Sequence, residues 1–325
     1  MMKKSAWLIA AIIGLAVNVS AICGQERSGS DGLKIENELY VVEVNKTNGA
    51  VTRIKDKVGG MELISEARLA DNYKFALILP GKEEWETIEA NFILGKEQRV
   101  TSVEQSEQCL ELVWGGPLKN YLGESYDVSV TMKIELAGGQ VRFEMKIDNR
   151  TGYEIGEVYY PMLGGIKGLG QSREQQKGTL FVRPDKEGVK TSDIFRVFDN
   201  FSWLGGQGAE QFYLYPDKLA ESWGEFYAAD ANRSMYFGAH DVAGRKKVLY
   251  LELVPFNTGT VREDGNWPRS EETGDVPVGM TACYVQFANH RAHDIFEGTP
   301  VVLQFHDGNW KQGKQIYQRY IDGRK

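Results

Sequence analysis

A period of two dominates the apolar positions of the chain. The clearest case lies mid-chain, where Tyr126, Val128, Val130, Met132, Ile134 and Leu136 alternate with Asp127, Ser129, Thr131, Lys133 and Glu135. After a turn at Ala137-Gly138-Gly139-Gln140, Val141, Phe143, Met145 and Ile147 alternate with Arg142, Glu144, Lys146 and Asp148. One packed and one wet face marks antiparallel sheet, because buried parallel strands read as continuous apolar runs. The same reading predicts strands over Leu39–Val44, Ala50–Lys55, Met61–Ile64, Glu157–Met162, Met235–His240, Lys247–Leu253, Thr281–Ala288 and Val301–Phe305. Turns such as Asn45-Lys46-Thr47-Asn48-Gly49 and Lys57-Val58-Gly59-Gly60 punctuate them.

Helical spacing is confined to the last segment. Between Trp310 and Ile321, residues Trp310, Gly313, Tyr317 and Tyr320, with Ile316 and Ile321 beside them, form one apolar face, and Gly323 stops it. Turn signals recur too often elsewhere for helices to fit between strands, which excludes βαβ winding. The stretch from Gly164 to Asn200 reads as long loops with a short strand at Thr179–Arg183. The expected fold is therefore all-β: a large antiparallel sandwich over 33–308 with a C-terminal helix over 309–325, and no internal repeat or domain boundary.

The N-terminus departs from this pattern. Lys3 and Lys4 precede an apolar run from Ala6 to Val17, and Val19-Ser20-Ala21 supplies small residues for cleavage, so 1–21 reads as an export signal. A dozen apolar residues fall short of the roughly 20 that a membrane span needs. Residues 22–32 read as a flexible spacer. Cys23 raises a lipoprotein alternative, but Ile22 stands where a lipobox wants a small residue, which favours a free periplasmic or extracellular product. The full chain has 325 residues, 38 basic against 45 acidic, a net charge of −7; loss of Lys3 and Lys4 with the leader makes it −9. An acidic chain without a basic run argues against nucleic acid and anionic membranes as partners. Of its three cysteines, Cys109 and Cys283 are either two buried thiols, the reading slightly favoured, or one disulfide.

The candidate chemistry is sparse. Gly308-Asn309-Trp310-Lys311-Gln312-Gly313-Lys314 matches the spacing of a phosphate loop, but Gln315 stands where Ser or Thr must follow, and Trp310 is too bulky. No nucleotide cofactor is implied. There is no CxxC, and His290 and His293 lack a further ligand nearby, so no metal site is expected. His240-Asp241 and His306-Asp307 each end a predicted strand, where a sandwich presents side chains to ligands. A histidine beside a carboxylate can move protons on a sugar; equally, each Asp can cap the following turn. Trp203, Phe212, Tyr213, Tyr215 and Trp223 fall in loop-like sequence between Phe195 and Trp223. They suit stacking on sugar rings, or the edge of a core. Glu210, Glu221, Glu225, Asp230 and Glu263 lie among them, and only spatial separation can select a catalytic pair.

Several segments together carry a resemblance. The run IENELYVVEVNKTNGAVTRIKDKVGGMELI (35–64), DNRTGYEIGEVYYPMLGGI (148–166), MYFGAHD (235–241) and HDGNWKQGKQIYQRY (306–320) resemble galactose-mutarotase-like sandwiches that precede the catalytic barrel of bacterial glycoside-hydrolase-like proteins of the DUF6259 type. The resemblance implies a carbohydrate-associated sandwich whose last helix leads toward a (β/α)8 barrel, with the catalytic carboxylates in that barrel and not in this chain. On that footing the expected function is the non-catalytic N-terminal part of a glycoside hydrolase, with polysaccharide as partner. Trp203, Tyr215, Trp223, Asp241 and Asp307 are then the candidate substrate-binding residues. The alternative is a self-sufficient sugar epimerase, mutarotase or lyase using His240 and His306, which requires the two imidazoles to converge on one cleft.

Overall fold

In the computed structural model, the described residues are 32–84, 88–195, 210–241, 243–254 and 277–323. Two large antiparallel sheets face one another. The first has ten strands, ordered Gly188–Ser192, Thr179–Asp185, Trp223–Ala228, Arg233–Ala239, Val301–Asp307, Gln140–Asn149, Val128–Ala137, Cys109–Trp114 and Ser102–Gln105, with Ile295–Glu297 also pairing to Gln140–Asn149. The second has six, ordered Glu210–Tyr215, Lys247–Val254, Gly279–His290, Ile155–Ile166, Lys74–Leu77 and Phe92–Leu94. A four-stranded sheet over Gly32–Glu36, Tyr40–Asn45, Val51–Asp56 and Met61–Glu62 accompanies them.

The alternation read from the sequence is the alternation of burial. In Val128–Ala137 every second residue from Val128 to Leu136 is buried, and Gln140–Asn149 pairs with it in the register Val128↔Asn149 to Ala137↔Gln140. Leu112, Val130, Met132, Phe143 and Phe237 of the large sheet share one core with Phe75, Tyr160, Leu249 and Tyr284 of the six-stranded sheet. The Thr47-Asn48-Gly49 turn is locked into that core: Gly49 has φ +76, a Cβ there would overlap the Trp114 ring, and Trp114 Nε1 donates to the Asn48 carbonyl at 3.2 Å. Asp56 ties the four-stranded sheet to the large one. It is buried, accepts from the Val58 and Gly59 amides, and holds Arg233 bidentately at 2.7 and 2.8 Å.

Two expectations need correction. The stretch from Gly164 to Asn200 is not mainly loop: it carries a short capped helix at Arg173–Lys177 and the hairpin of Thr179–Asp185 with Gly188–Ser192. The aromatic stretch read as loop contains the strands Glu210–Tyr215 and Trp223–Ala228, the latter buried on both faces and so without alternation. The C-terminal helix, Trp310–Asp322, lies where the spacing places it, and Ile316 and Tyr317 of its apolar face pack with Trp223, Tyr236 and Val302 on the outer face of the large sheet. Cys109 and Cys283 are free thiols in different sheets. Among the described residues, no helix is long and apolar enough to cross a membrane.

Candidate functional site

The sequence nominated residues that the fold gathers largely beneath the C-terminal helix. Trp223 is fully buried, its Nε1 donating to Glu221 at 2.7 Å, so it offers no face to a sugar. His240 is buried, bonded to the Tyr236 hydroxyl at 3.0 Å and stacked on Tyr320 with ring centroids 4.0 Å apart. His306 has Nε2 3.2 Å from Glu225 Oε2 and Nδ1 3.0 Å from its neighbour's carbonyl. Glu225 in turn accepts from Ser234 Oγ at 2.6 Å. His240 thus serves the helix–sheet contact, and His306 is held by Glu225 of the same sheet.

Of the two aspartates, Asp241 takes the turn-forming role. Asp241 accepts from the Ala243 and Arg245 amides and pairs with the buried Lys247 ammonium at 3.0 Å. Burial works to raise its pKa, but Lys247 and Arg245 outweigh that and hold the carboxyl below the usual range. Asp307 is mostly exposed and binds Arg233 at 2.7 Å. Tyr215 is half-buried, its ring centroid 5.1 Å from the Lys247 ammonium. Trp203 and Glu263 lie outside the described residues, and Asp230 is an exposed turn residue.

The constellation best suited to chemistry lies instead on the outer face of the six-stranded sheet. Register brings it together: Phe212 pairs with Tyr250, Tyr250 with Cys283, and Tyr159 with both Val285 and Lys74. The Lys74 ammonium sits 4.2 Å from the Tyr159 ring centroid, 5.3 Å from Phe92 and 6.0 Å from Tyr250, a cation held over three aromatic faces. Tyr250 meets Tyr159 edge-on at 5.9 Å and Phe212 at 4.9 Å, and Phe212 is half exposed.

Carboxylates border these rings. Tyr250 donates to Glu210 at 2.6 Å, and Tyr159 donates to Glu157 at 2.9 Å. Glu210 pairs in register with Glu252, one step along the same face. Burial pushes the Glu252 carboxyl above its ordinary value; Lys74 opposes this and Glu210 reinforces it. Asp71, also raised by burial, pairs with the half-exposed Lys96 at 3.1 Å. Burial raises the thiol of Cys283 behind Tyr250 as well, which keeps it inert. Flat ring faces beside hydrogen-bonding carboxylates are what a sugar requires, and a carboxyl raised toward neutrality can exchange protons with one. Among the described residues no group of three or more His, Cys, Asp or Glu is placed to hold a metal ion.

Of this set, Phe212, Glu210 and Cys283 stood among the residues singled out in the sequence, and the others did not. Glu252 left a faint trace: it is the one charge in the otherwise apolar run Val248 to Val254.

No family model matches the sequence, and no curated protein matches it. Solved structures do. An α-N-acetylgalactosaminidase from Bifidobacterium bifidum, solved with GalNAc, is similar at a TM-score of 0.53 and 10% identity over 90% of this chain, which spans 39% of that enzyme. A galactose-mutarotase-related enzyme from Lactobacillus acidophilus gives 0.49 and 8% over 86% of this chain and 98% of its own, and a galactose-mutarotase-like protein from Lactobacillus casei 0.48 and 10% over 85% and 100%. The likeness is one of fold: this chain, like part of that larger enzyme, is a large antiparallel sandwich, here with a C-terminal helix.

Proposed function

We propose that the chain is an exported, carbohydrate-associated sandwich that binds saccharide on the outer face of its six-stranded sheet, and that it is the non-catalytic N-terminal part of a glycoside hydrolase. The observation that carries the binding reading is the half-exposed ring of Phe212, which lies against the buried Tyr250 ring, with Glu210 and Glu252 at its border. The rings of Tyr159 and Phe92, half-buried around Lys74, continue the cluster as a ring cage. The glycosidase setting is supported by the fold's likeness to part of a larger α-N-acetylgalactosaminidase, and by the sequence segments that resemble sandwiches preceding a barrel. Export rests on residues 1–21.

A second reading, acid–base chemistry on a sugar, is favoured by Glu252 alone, whose carboxyl is raised by burial beside Tyr250. His240 and His306 do not support it, since His240 is engaged beneath the helix and His306 by Glu225.

The test is titration of the purified protein with a panel of neutral mono- and oligosaccharides, alongside Phe212→Ala and Glu252→Gln. Binding that Phe212→Ala abolishes supports the reading. No binding to any member, or binding indifferent to Phe212, defeats it. Polarimetry on the same sugars separates the two readings: faster interconversion of anomers, lost in Glu252→Gln, would replace the non-catalytic role with an enzymatic one. N-terminal sequencing of the secreted protein checks export, with Ile22 as the expected first residue.

A further inference from the structure

The C-terminal helix covers only part of the large sheet's outer face, over the strands Trp223–Ala228, Arg233–Ala239 and Val301–Asp307. On the strands beyond them a cleft of about 530 Å3 opens. That volume is within the range of roughly 300–1,000 Å3 usual for small-molecule sites. Its floor is built from two adjacent cross-strand rows. Glu111, Lys133 and Glu144 stand side by side on three neighbouring strands, and Thr131, Lys146 and Glu297 form the next row. Arg245, Gly298 and Pro300 close one side.

The signs of these charges alternate. In the first row a cation stands between two carboxylates, and in the second a cation stands beside one. Several are also neutralised from within: Lys133 pairs with Glu135 at 3.3 Å, Glu144 accepts from Arg142 Nε at 2.8 Å, and Arg245 pairs with Asp241 at 3.1 Å. Neighbouring strands lie about 4.8 Å apart. A carboxylate ligand seated on Lys133 would therefore face Glu111 and Glu144 one strand away on either side. An ammonium seated on Glu111 or Glu297 would face Lys133 or Lys146 in the same way. Like charges at that separation repel, so a ligand with net charge gains at one position and loses at the next. A hydroxyl both donates and accepts, and it suits every position of both rows.

We propose that this cleft is a second binding site, distinct from the ring cage of the six-stranded sheet, and that its ligand is an uncharged, polyhydroxylated molecule, a neutral oligosaccharide. No aromatic side chain lines it, so recognition rests on hydrogen bonds to Glu111, Thr131, Lys133, Lys146 and Glu297. The inference does not depend on the ring cage binding sugar, because the two sites lie on different sheets.

The experiment is a titration of the 15N-labelled protein with cellobiose, maltose and lactose, and with digalacturonate and the glucosamine disaccharide as charged counterparts. The expected result is movement of the Thr131, Lys133, Glu144 and Lys146 amide signals with at least one neutral disaccharide, and weaker binding of both charged ones. Lys133→Met and Glu297→Gln should each weaken that binding about tenfold, as for loss of a hydrogen bond to a charged group, and leave the signals of Tyr159 and Tyr250 where they are. Each variant's spectrum reports whether it folds. No shift in the cleft with any neutral disaccharide overturns the proposal, and so does a charged disaccharide that binds as tightly as the neutral ones.

Discussion

Gly313 of the C-terminal helix lies directly over Glu225 of the large sheet, so close that a Cβ on the glycine would overlap the carboxylate. Glu225 is fully buried there and anchors Ser234 and His306. The glycine is what lets the helix settle on a charged floor. Gly313→Ala adds roughly 1 kcal/mol of helix propensity, but it forces the helix off Glu225, and such overpacking costs about 1–3 kcal/mol. The expected net result is a lower midpoint in urea unfolding. A variant at least as stable as the parent would show that the helix can shift at no cost.

The same contact sets the outcome of removing the helix. Truncation before Trp310 uncovers Trp223, Tyr236 and Val302, all at most 1% exposed in the intact chain. An apolar patch of that kind promotes association. The truncated protein should therefore be less soluble and less stable than the full chain, by light scattering and thermal unfolding. Improved solubility would mean the helix is held for a different surface.

Asp56 and Asp307 both bind Arg233, and their burial decides what each contributes. Asp56 is 1% exposed and bidentate; the Asp307 side chain is 82% exposed and makes one contact. Removing one partner of a buried pair costs about 3–5 kcal/mol, so Asp56→Ala should destabilise by that much. Asp307→Ala removes a pair that is exposed on one side, and such pairs contribute about 0–1 kcal/mol. Urea midpoints of the two variants give the comparison, and equal losses would contradict it. Asp307→Ala should also leave saccharide binding unchanged.

How much was legible in the sequence follows from which faces are wet. Val128–Ala137 and Gln140–Asn149 have one solvated face, and their limits were readable to within a residue or two. Trp223–Ala228 lies between the core and the helix; with both faces buried it carries no alternation and passed for loop. The ring cage was not legible for another reason. Lys74, Phe92, Tyr159 and Tyr250 come from distant segments and become neighbours only through sheet register. His240 and His306 stood out because histidines are rare here, yet rarity says nothing of surroundings: His240 is buried under the helix and His306 is tied to the buried Glu225.

The last prediction concerns pH and Glu252. Burial raises its carboxyl above the ordinary carboxylate value of 4.5. The folded state therefore holds the proton more tightly than the unfolded state does. Below 4.5 both states are protonated, and the group's favourable contribution is fully present; as pH rises through the folded-state pKa, the native protein must carry a buried charge and that contribution is lost. Glu252→Gln abolishes this dependence while keeping a polar side chain of the same length. The variant should gain stability relative to the parent as pH is raised from 4 toward 8, with the smallest difference at the acid end. Urea unfolding of both proteins across that range measures it. A difference that stays constant with rising pH would mean that Lys74 compensates the burial fully, and Glu252 would then be an ordinary carboxylate with no special capacity to exchange protons with a bound sugar; a difference that shrinks would mean that the folded state favours the charge.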